Sequence, residues 1–453
     1  MKKLFALLLA LAMITCLFAG CKGNEEPTTP DNSGEPSSES TLPENNTDTA
    51  KGSVYYLNFK PEFDEALTKL AATYTEKTGV EVKVVTAASG DYSNTLNAQM
   101  GKDGAPTIYN IGNMSGLKDW DEYALDLTGT ALAGELTTND FNLYNEAGEL
   151  KAMGYCYESF GIIVNTKLLA DAGHSLDEIK DFASLKAVAD DIHARAAELG
   201  FDAFSSAGLD GSSSWRFSGH LANMPLYYEF RDDGVTEQPA EIKGTYLDNF
   251  RNIWDLYITD SAADPTALST ATGDQSEAEF GEGKAVFYQN GTWEYAALTA
   301  DKFNLNPDEI AMIPIYCGVD GEEKAGLCSG TENCWAINSQ AKEEDIQASL
   351  DFLYWLVTDP DASAVLVEQL GAVPFKNCPA SANKFIVDGN ALLADGKYAV
   401  TWAFNYTPNV DSWRATVVTA LAAYSADPTD ANWEAVKTAF VDGWAIEYKT
   451  VNG

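Results

Sequence analysis

From residue 53 onward the spacing of apolar side chains switches repeatedly between two periods. Val54-Tyr55-Tyr56-Leu57-Asn58-Phe59 is a run of aromatic and aliphatic residues of the kind that fills a buried strand. After Pro61, the residues Phe63, Ala66, Leu67, Leu70, Ala71 and Tyr74 recur three and four apart, which predicts a helix with one buried face. Gly79 suits its left-handed cap, and Val80, Val82 and Val84 then alternate with Glu81 and Lys83 as a second strand. A helix over about Ser93 to Met100 and a strand over Thr107 to Ile111 follow. The alternation returns with Gly161-Ile162-Ile163-Val164-Asn165 and the helix through Leu168 and Leu169. Ala285-Val286-Phe287-Tyr288 and Ile310-Ala311-Met312-Ile313 read as later strands, and Ile346, Leu350, Leu353 and Val357 as a helix ended by Asp359-Pro360. Strand–helix alternation is the pattern of an α/β fold with mostly parallel sheets. A length of 453 residues exceeds one hydrophobic core, so two α/β lobes with a cleft between them are expected.

The first fifty residues follow a different rule. Lys2 and Lys3 precede an apolar run, Leu4 to Phe18, too short to span a bilayer comfortably. Leu17-Phe18-Ala19-Gly20-Cys21 resembles the bacterial lipobox, whose Cys thiol is diacylglycerated before cleavage; Phe18 departs from the usual Leu. Ordinary signal cleavage elsewhere is the alternative. From Lys22 to about Thr49 the chain is Glu, Pro, Thr, Ser, Asn, Asp and Gly with almost nothing to bury, so a disordered tether is expected. By coil scaling, some thirty such residues reach roughly 30 Å.

Charge and chemistry narrow the classes. A formal net charge of -39 argues against nucleic acid and against electrostatic adhesion to anionic lipid. It favours a neutral or cationic ligand over an anionic one. His174, His193 and His220 share no metal-ligand spacing, and no CxxC, HExxH or EF-hand loop occurs. Neither a metal nor any other cofactor is expected. Cys156, Cys317, Cys328, Cys334 and Cys378 form no disulfide framework; buried thiols are the plain reading and a Cys328–Cys334 bridge the alternative.

The order of four segments resembles the family of extracellular sugar-binding proteins that includes the maltose-binding protein. These are Phe59 to Val84, Glu158 to Leu169, Phe280 to Trp293 (with Gly283-Lys284-Ala285 and Asn290-Gly291-Thr292-Trp293), and Ala336-Ile337-Asn338 with the helix after it. The resemblance implies a two-lobed periplasmic-binding-protein-like α/β fold with an interlobe ligand cleft and a hinge. The division expected is a leader over 1–20, a tether over 21–51, lobe one over 52–158 with about 318–352, and lobe two over about 159–317 with 353–453. It also implies a carbohydrate delivered to the permease subunits of an ABC importer, and the several candidate aromatics spread across both lobes favour an oligosaccharide. A monomer is expected, held at the outer face of the membrane only through a lipid on Cys21.

The resemblance assigns roles residue by residue. Glu158 stands where the family has a carboxylate that binds sugar hydroxyls, and Trp293 where a Trp stacks on a sugar ring. Asn58, Phe59 and Lys60 form the loop after the first strand, which offers polar contacts in the family. Asn110 and Asn113 stand where the maltose binder has an aromatic and a carboxylate, which leaves the sugar undetermined. Trp215 falls where lobe two often supplies a second stacking ring, and Glu332, Asn333 and Trp335 mark the second crossing. Trp402 and Trp413, with Phe404, flank the Pro408-Asn409 turn and could serve either core or cleft. The same residues have plainer readings: Asn58, Asn110 and Asn113 as turns or caps, and any Trp as core. The residue types suit a pyranose, whose C–H face packs on aromatic planes and whose hydroxyl rim pairs with carboxylates and amides.

Two rival classes remain on the sequence alone. A glycosidase needs two placed carboxylates, but with 68 acidic residues some pair could always be imagined. No GxSxG or P-loop is present, since Gly281-Glu282-Gly283-Lys284 lacks the spacing and the Ser/Thr. A binder of polyamines or peptides would lean on acidic boxes or backbone pairing more than on several Trp. A structural adhesin sits poorly with the α/β alternation.

Overall fold

The computed structural model describes residues 51–87, 91–206 and 208–453. Cys21 and the expected tether lie outside the described residues. The rest forms two six-stranded sheets, each dressed with helices, which matches the α/β expectation.

The first sheet has the order β2-β1-β3-β11-β5-β4. Its strands are β1 (Ser53–Asn58), β2 (Glu81–Thr86), β3 (Ile108–Asn110), β4 (Leu143–Tyr144), β5 (Leu150–Gly154) and β11 (Cys334–Ile337). β1 runs parallel to β2 and β3, while β11 runs antiparallel to β3 and β5. The helix Asp64–Thr78 links β1 to β2 and ends as expected, with Gly79 at φ 74 accepting the left-handed turn a Cβ would strain. The second sheet has the order β12-β10-β6-β8-β7, with β9 also paired to β6. Its strands are β6 (Glu158–Asn165), β7 (Asp202–Ser205), β8 (Ala285–Gly291), β9 (Ile310–Ile313), β10 (Ala325–Gly330) and β12 (Tyr398–Thr401). β9 coincides with its expected span, because a four-residue aliphatic run between polar turns leaves little room for error.

The lobe bounds differ from those expected. β10 pairs with β6 and β12, so the chain returns to the first sheet at Thr331–Asn333 and not near 318. The first core also runs past 352. Phe352, Leu356, Leu366, Leu370 and Phe375 pack with Val54, Tyr56 and Trp335, and Phe385 is the first residue back in the second core. The cause is local. Asp359 accepts from the backbone N–H of Asp361 and Ala362, and Pro360 occupies a first-turn position where its missing donor costs nothing. Asp359-Pro360 therefore ends one helix, Glu343–Thr358, and starts another, Pro360–Leu370, that doubles back onto the same sheet.

Three segments cross between the sheets, and they are laced together. Tyr155 N–H donates to the Asn333 carbonyl at 3.0 Å, the Thr331 hydroxyl to the Cys156 carbonyl at 2.7 Å, and Tyr157 N–H to the Ala372 carbonyl at 3.0 Å. The five described cysteines are free thiols, four of them buried; Cys328 rests its sulfur 3.6 Å from that of Met224, so no Cys328–Cys334 bridge forms.

Candidate functional site

Strand alternation gives the crossing two faces. Successive residues of β6 point to opposite sides of its sheet, so Glu158 and Phe160 share one side and Tyr157 and Ser159 the other. The two sides differ in chemistry.

The Glu158 side begins with a charge cluster. Lys60, at the carboxyl end of β1, places Nζ 2.7 Å from Glu158 Oε1 and 2.7 Å from Glu62 Oε1. Asn333 Nδ2 donates to Glu158 Oε2 at 2.8 Å, so both oxygens of Glu158 are engaged by protein. Burial works against the Lys60 charge, but Glu158 and Glu62 outweigh it and hold the ammonium well above its ordinary pKa. Burial likewise opposes the Glu62 carboxylate, and Lys60 still keeps it below the ordinary range. Lys60, Glu158 and Asn333, each expected at the site from a different segment, meet here, and Glu62, which was not expected, joins them.

Beside this cluster stands an aromatic wall. β8 ends at Gly291, which pairs with Phe160, and Thr292 N–H donates to the Ser159 carbonyl at 2.8 Å. Trp293 therefore emerges next to the start of β6. Its indole folds over Gly291 so closely that a Cβ there would come within 2.1 Å of the ring, which makes glycine a steric requirement. Trp215 lies 5.9 Å from Trp293 by ring centroids, and His220 lies 5.0 and 5.5 Å from the two. His220 stacks on Phe160 at 3.9 Å, and Phe404 and Trp402 extend the row. Burial first, then Arg414 and Arg216, push the His220 pKa well below its ordinary value, so this wall carries a neutral imidazole. His220 was missed because it sits in a π-helical turn, Arg216–Leu221, where a 3.6-residue period fails.

Two half-buried carboxyls close the arrangement. Glu294 accepts from Asn290 Nδ2 at 2.8 Å, and burial together with Glu277 and Glu62 lifts its pKa to about 8, against an opposing pull from Arg216. Glu332 is raised by burial, with Arg414 opposing and Asp411 and Glu158 adding to it. Arg414 approaches Glu332 at 4.0 Å across the junction. Neither Glu294 nor either arginine was singled out from sequence, although both arginines follow a Trp that was.

Several expected site residues are engaged elsewhere. Trp335 is fully buried in the first core, where its Nε1 donates to the Tyr56 hydroxyl at 2.6 Å and its ring stacks on Tyr155 at 4.5 Å. Trp413 is fully buried in the second core, with Nε1 donating to the Phe440 carbonyl at 2.9 Å. Trp335 is thus a correction to its expected place at the site, and of the two readings open for Trp413 the core is the one found. Asn58 is fully buried and serves its own turn: Nδ2 donates to the Lys60 carbonyl at 2.7 Å and Oδ1 accepts from Lys60 N–H at 3.1 Å. Phe59 packs edge-on against Tyr92 at 5.3 Å. Asn110 ties β3 to β11, accepting from Cys334 N–H and donating to the Glu332 carbonyl, both at 2.9 Å. Asn113 caps the helix Met114–Trp120 by accepting from Gly116 N–H at 2.8 Å. Trp402 donates to the Cys328 carbonyl at 3.1 Å and lies over Gly330.

The opposite side carries a groove of about 830 Å³ lined by residues of both sheets, among them Asn113, Phe141, Tyr157, Ser159, Ser329 and Trp402. Apart from Asp140 its walls are neutral. Among the described residues no group of His, Cys, Asp and Glu could hold a metal ion, and no helix is long and apolar enough to cross a membrane.

A family profile described as bacterial extracellular solute-binding protein matches residues 69–394. Solved structures share the fold. RafE in complex with raffinose superposes with a TM-score of 0.71 at 16% identity, covering 88% of this chain and 99% of that one. The GacH receptor of Streptomyces glaucescens gives 0.64 at 19% identity, with 88% and 98% covered. A sugar transporter from Bacillus licheniformis in complex with stachyose gives 0.65 at 14% identity, with 87% and 99% covered. No curated protein sequence matches the chain.

Proposed function

The chain belongs to the bacterial extracellular solute-binding proteins, and from that premise we propose that it captures a carbohydrate on the Glu158 side of the crossing and hands it to an ABC importer. One observation carries the reading: the Trp215–Trp293 pair stands beside a cluster of hydrogen-bonding carboxyls and cations at the junction of the lobes. Stacked C–H faces and paired hydroxyls are what such a combination can hold. The structural relatives crystallised with raffinose and stachyose support the same class, and several rings along one wall favour an oligosaccharide. Closure of the lobes would exclude water and give a permease a distinct form to recognise. The family is one of binding proteins, and we infer capture without chemistry: hydroxyls bound in a closed cleft are selected at roughly 1 to 3 kcal/mol for each bond left unmade.

We further propose that Cys21 is lipidated, and that the tether keeps a monomeric two-lobed body near the outer face of the membrane. Lobe one then comprises about 52–157 with 331–378, and lobe two the remainder. A thermal-shift screen against mono- and oligosaccharides, including raffinose, stachyose and maltose, tests the central claim. A rise in melting temperature with one of them, and no hydrolysis on prolonged incubation, is the expected result. Flat melting curves across the sugars, or release of reducing ends, would count against it. Cys21→Ser is expected to shift the protein from the membrane fraction to the medium.

A further inference from the structure

We infer that Arg414 and Glu332, and not Glu158, form the pair that reads a ligand hydroxyl, set apart so that one oxygen fits between them. The inference rests on the carbohydrate reading above and names the residues that would enforce it.

The two carboxylates differ in what they have left to give. Glu158 already accepts from Lys60 on one oxygen and from Asn333 on the other, at 2.7 and 2.8 Å. Its role is to hold the loop after β1 against the crossing. Glu332 accepts through its backbone carbonyl from Asn110, and among the described residues its carboxylate forms one ion pair, with Arg414 at 4.0 Å.

Arg414 is in the complementary position. Its side chain is 14% exposed, and its nearest carboxylate, Glu332, stands 4.0 Å away, beyond hydrogen-bonding distance. Nε is buried outright and unpaired. The plane lies over the Phe404 ring at 5.1 Å and against Gly219, where a Cβ would come within 3.0 Å of Nη2. Packing has thus fixed the fork, and a guanidinium held in place with its donors unused is costly unless something arrives to accept them.

The separation says what arrives. Two hydrogen bonds of about 2.8 Å that meet at one oxygen with an angle near 90° span about 4 Å, which is the observed gap. A hydroxyl can fill it, accepting from Arg414 and donating to Glu332. A carboxylate could accept from Arg414 but would face Glu332 with no proton to share, and Asp411 and Glu158 add to the negative field there. The ligand class is therefore a neutral sugar with a free hydroxyl beside its stacked face, and uronates are rejected.

The test is titration calorimetry on the chain with raffinose, stachyose and maltose as probes, using Arg414→Ala, Arg414→Lys, Glu332→Gln and the double variant Arg414→Ala/Glu332→Gln. Melting curves without sugar serve as the control for folding. For the sugar that binds the unaltered protein, Arg414→Ala is expected to raise Kd at least tenfold and Glu332→Gln about fivefold. The double variant should lose little more than Arg414→Ala, because one shared oxygen is lost only once. Arg414→Lys should recover part of the affinity. Unchanged affinity in Arg414→Ala, or fully additive losses in the double variant, overturns the inference while leaving the carbohydrate reading standing. Should Arg414→Ala melt early, Glu332→Gln carries the decision: an unchanged Kd overturns the pair. If no sugar binds the unaltered protein, the carbohydrate reading falls and this inference with it.

Discussion

The sequence contains the doublet Trp-Arg twice, at 215–216 and at 413–414, and the structure uses the two in opposite ways. At the first, Trp215 is partly open beside Trp293, while Arg216 is fully buried, with Nε donating to Ser213 at 2.9 Å and Nη1 to the Gln289 carbonyl at 3.1 Å. At the second, Trp413 is fully buried between Phe440 and Trp444, and Arg414 is the residue turned to the junction. Each arginine has a half-buried carboxyl near it, Glu294 in one case and Glu332 in the other. Adjacent side chains on a helix or turn diverge, so only one of each doublet can face the ligand. Which one is decided by the packing of the element and not by the dipeptide.

The contrast can be broken most forcefully at its buried members. Trp413→Ala removes a ring from the second core and is expected to cost about 4 kcal/mol, read as a lower midpoint in denaturant melts. Trp215→Ala should cost under about 1 kcal/mol by the same measurement, as suits a partly open side chain. Equal costs would dissolve the distinction drawn here. Arg216→Met comes next, at about 3 kcal/mol, because it strips donors from the Gln289 carbonyl and from Ser213 inside the core. Trp293→Ala is expected to leave the unfolding transition cooperative and to weaken sugar binding about 30-fold, roughly 2 kcal/mol. Unchanged affinity would remove Trp293 from the site.

The smallest effect sharpens the electrostatic half of the comparison. Glu294 titrates at about 8 in the folded chain, against an ordinary value of 4.5. Between those values the folded state holds a proton that the unfolded state releases, so this group lowers stability progressively as pH rises from about 5 to 8. Glu294→Gln should therefore raise the melting temperature by about 2 °C at pH 8 and leave it nearly unchanged at pH 5. A gain of equal size at both values would mean that Glu294 is ionised throughout.

The elements of the fold were legible because their information is local. Continuous apolar runs located β1 and β9, alternation located β2, and 3.6-residue spacing located the helix Asp64–Thr78, most of their ends within a few residues. The lobe bounds were less legible, because Asp359-Pro360 reads equally as a stop and as a fresh N-cap. Among the candidate site residues, Lys60 was expected from the loop after the first strand, Glu158 and Asn333 from the two crossings, Trp293 from the segment it ends, and Trp215 from its place in lobe two. The structure brings Lys60, Glu158 and Asn333 together and sets Trp215 beside Trp293. Trp335 misled because β11 is buried on both faces, so alternation assigns it no side. Arg414, Arg216, His220 and Glu294 depend on how one turn is phased against another element, which residue spacing along a single segment does not contain.

The placement of β11 has a consequence for how the chain comes to be folded at all. It lies between β3 and β5, and Cys334 reaches Asn110 across 224 residues of sequence. The second sheet repeats the arrangement, with Ser329 meeting Ser159 across 170 residues. The first sheet cannot close on a growing polypeptide until residue 337 of 453 is available, nor the second until residue 401, and pairings that distant are slow to form. The first sheet is thus completed only after β6 to β10 of the second have been made, so the order of synthesis ties the maturation of one lobe to that of the other.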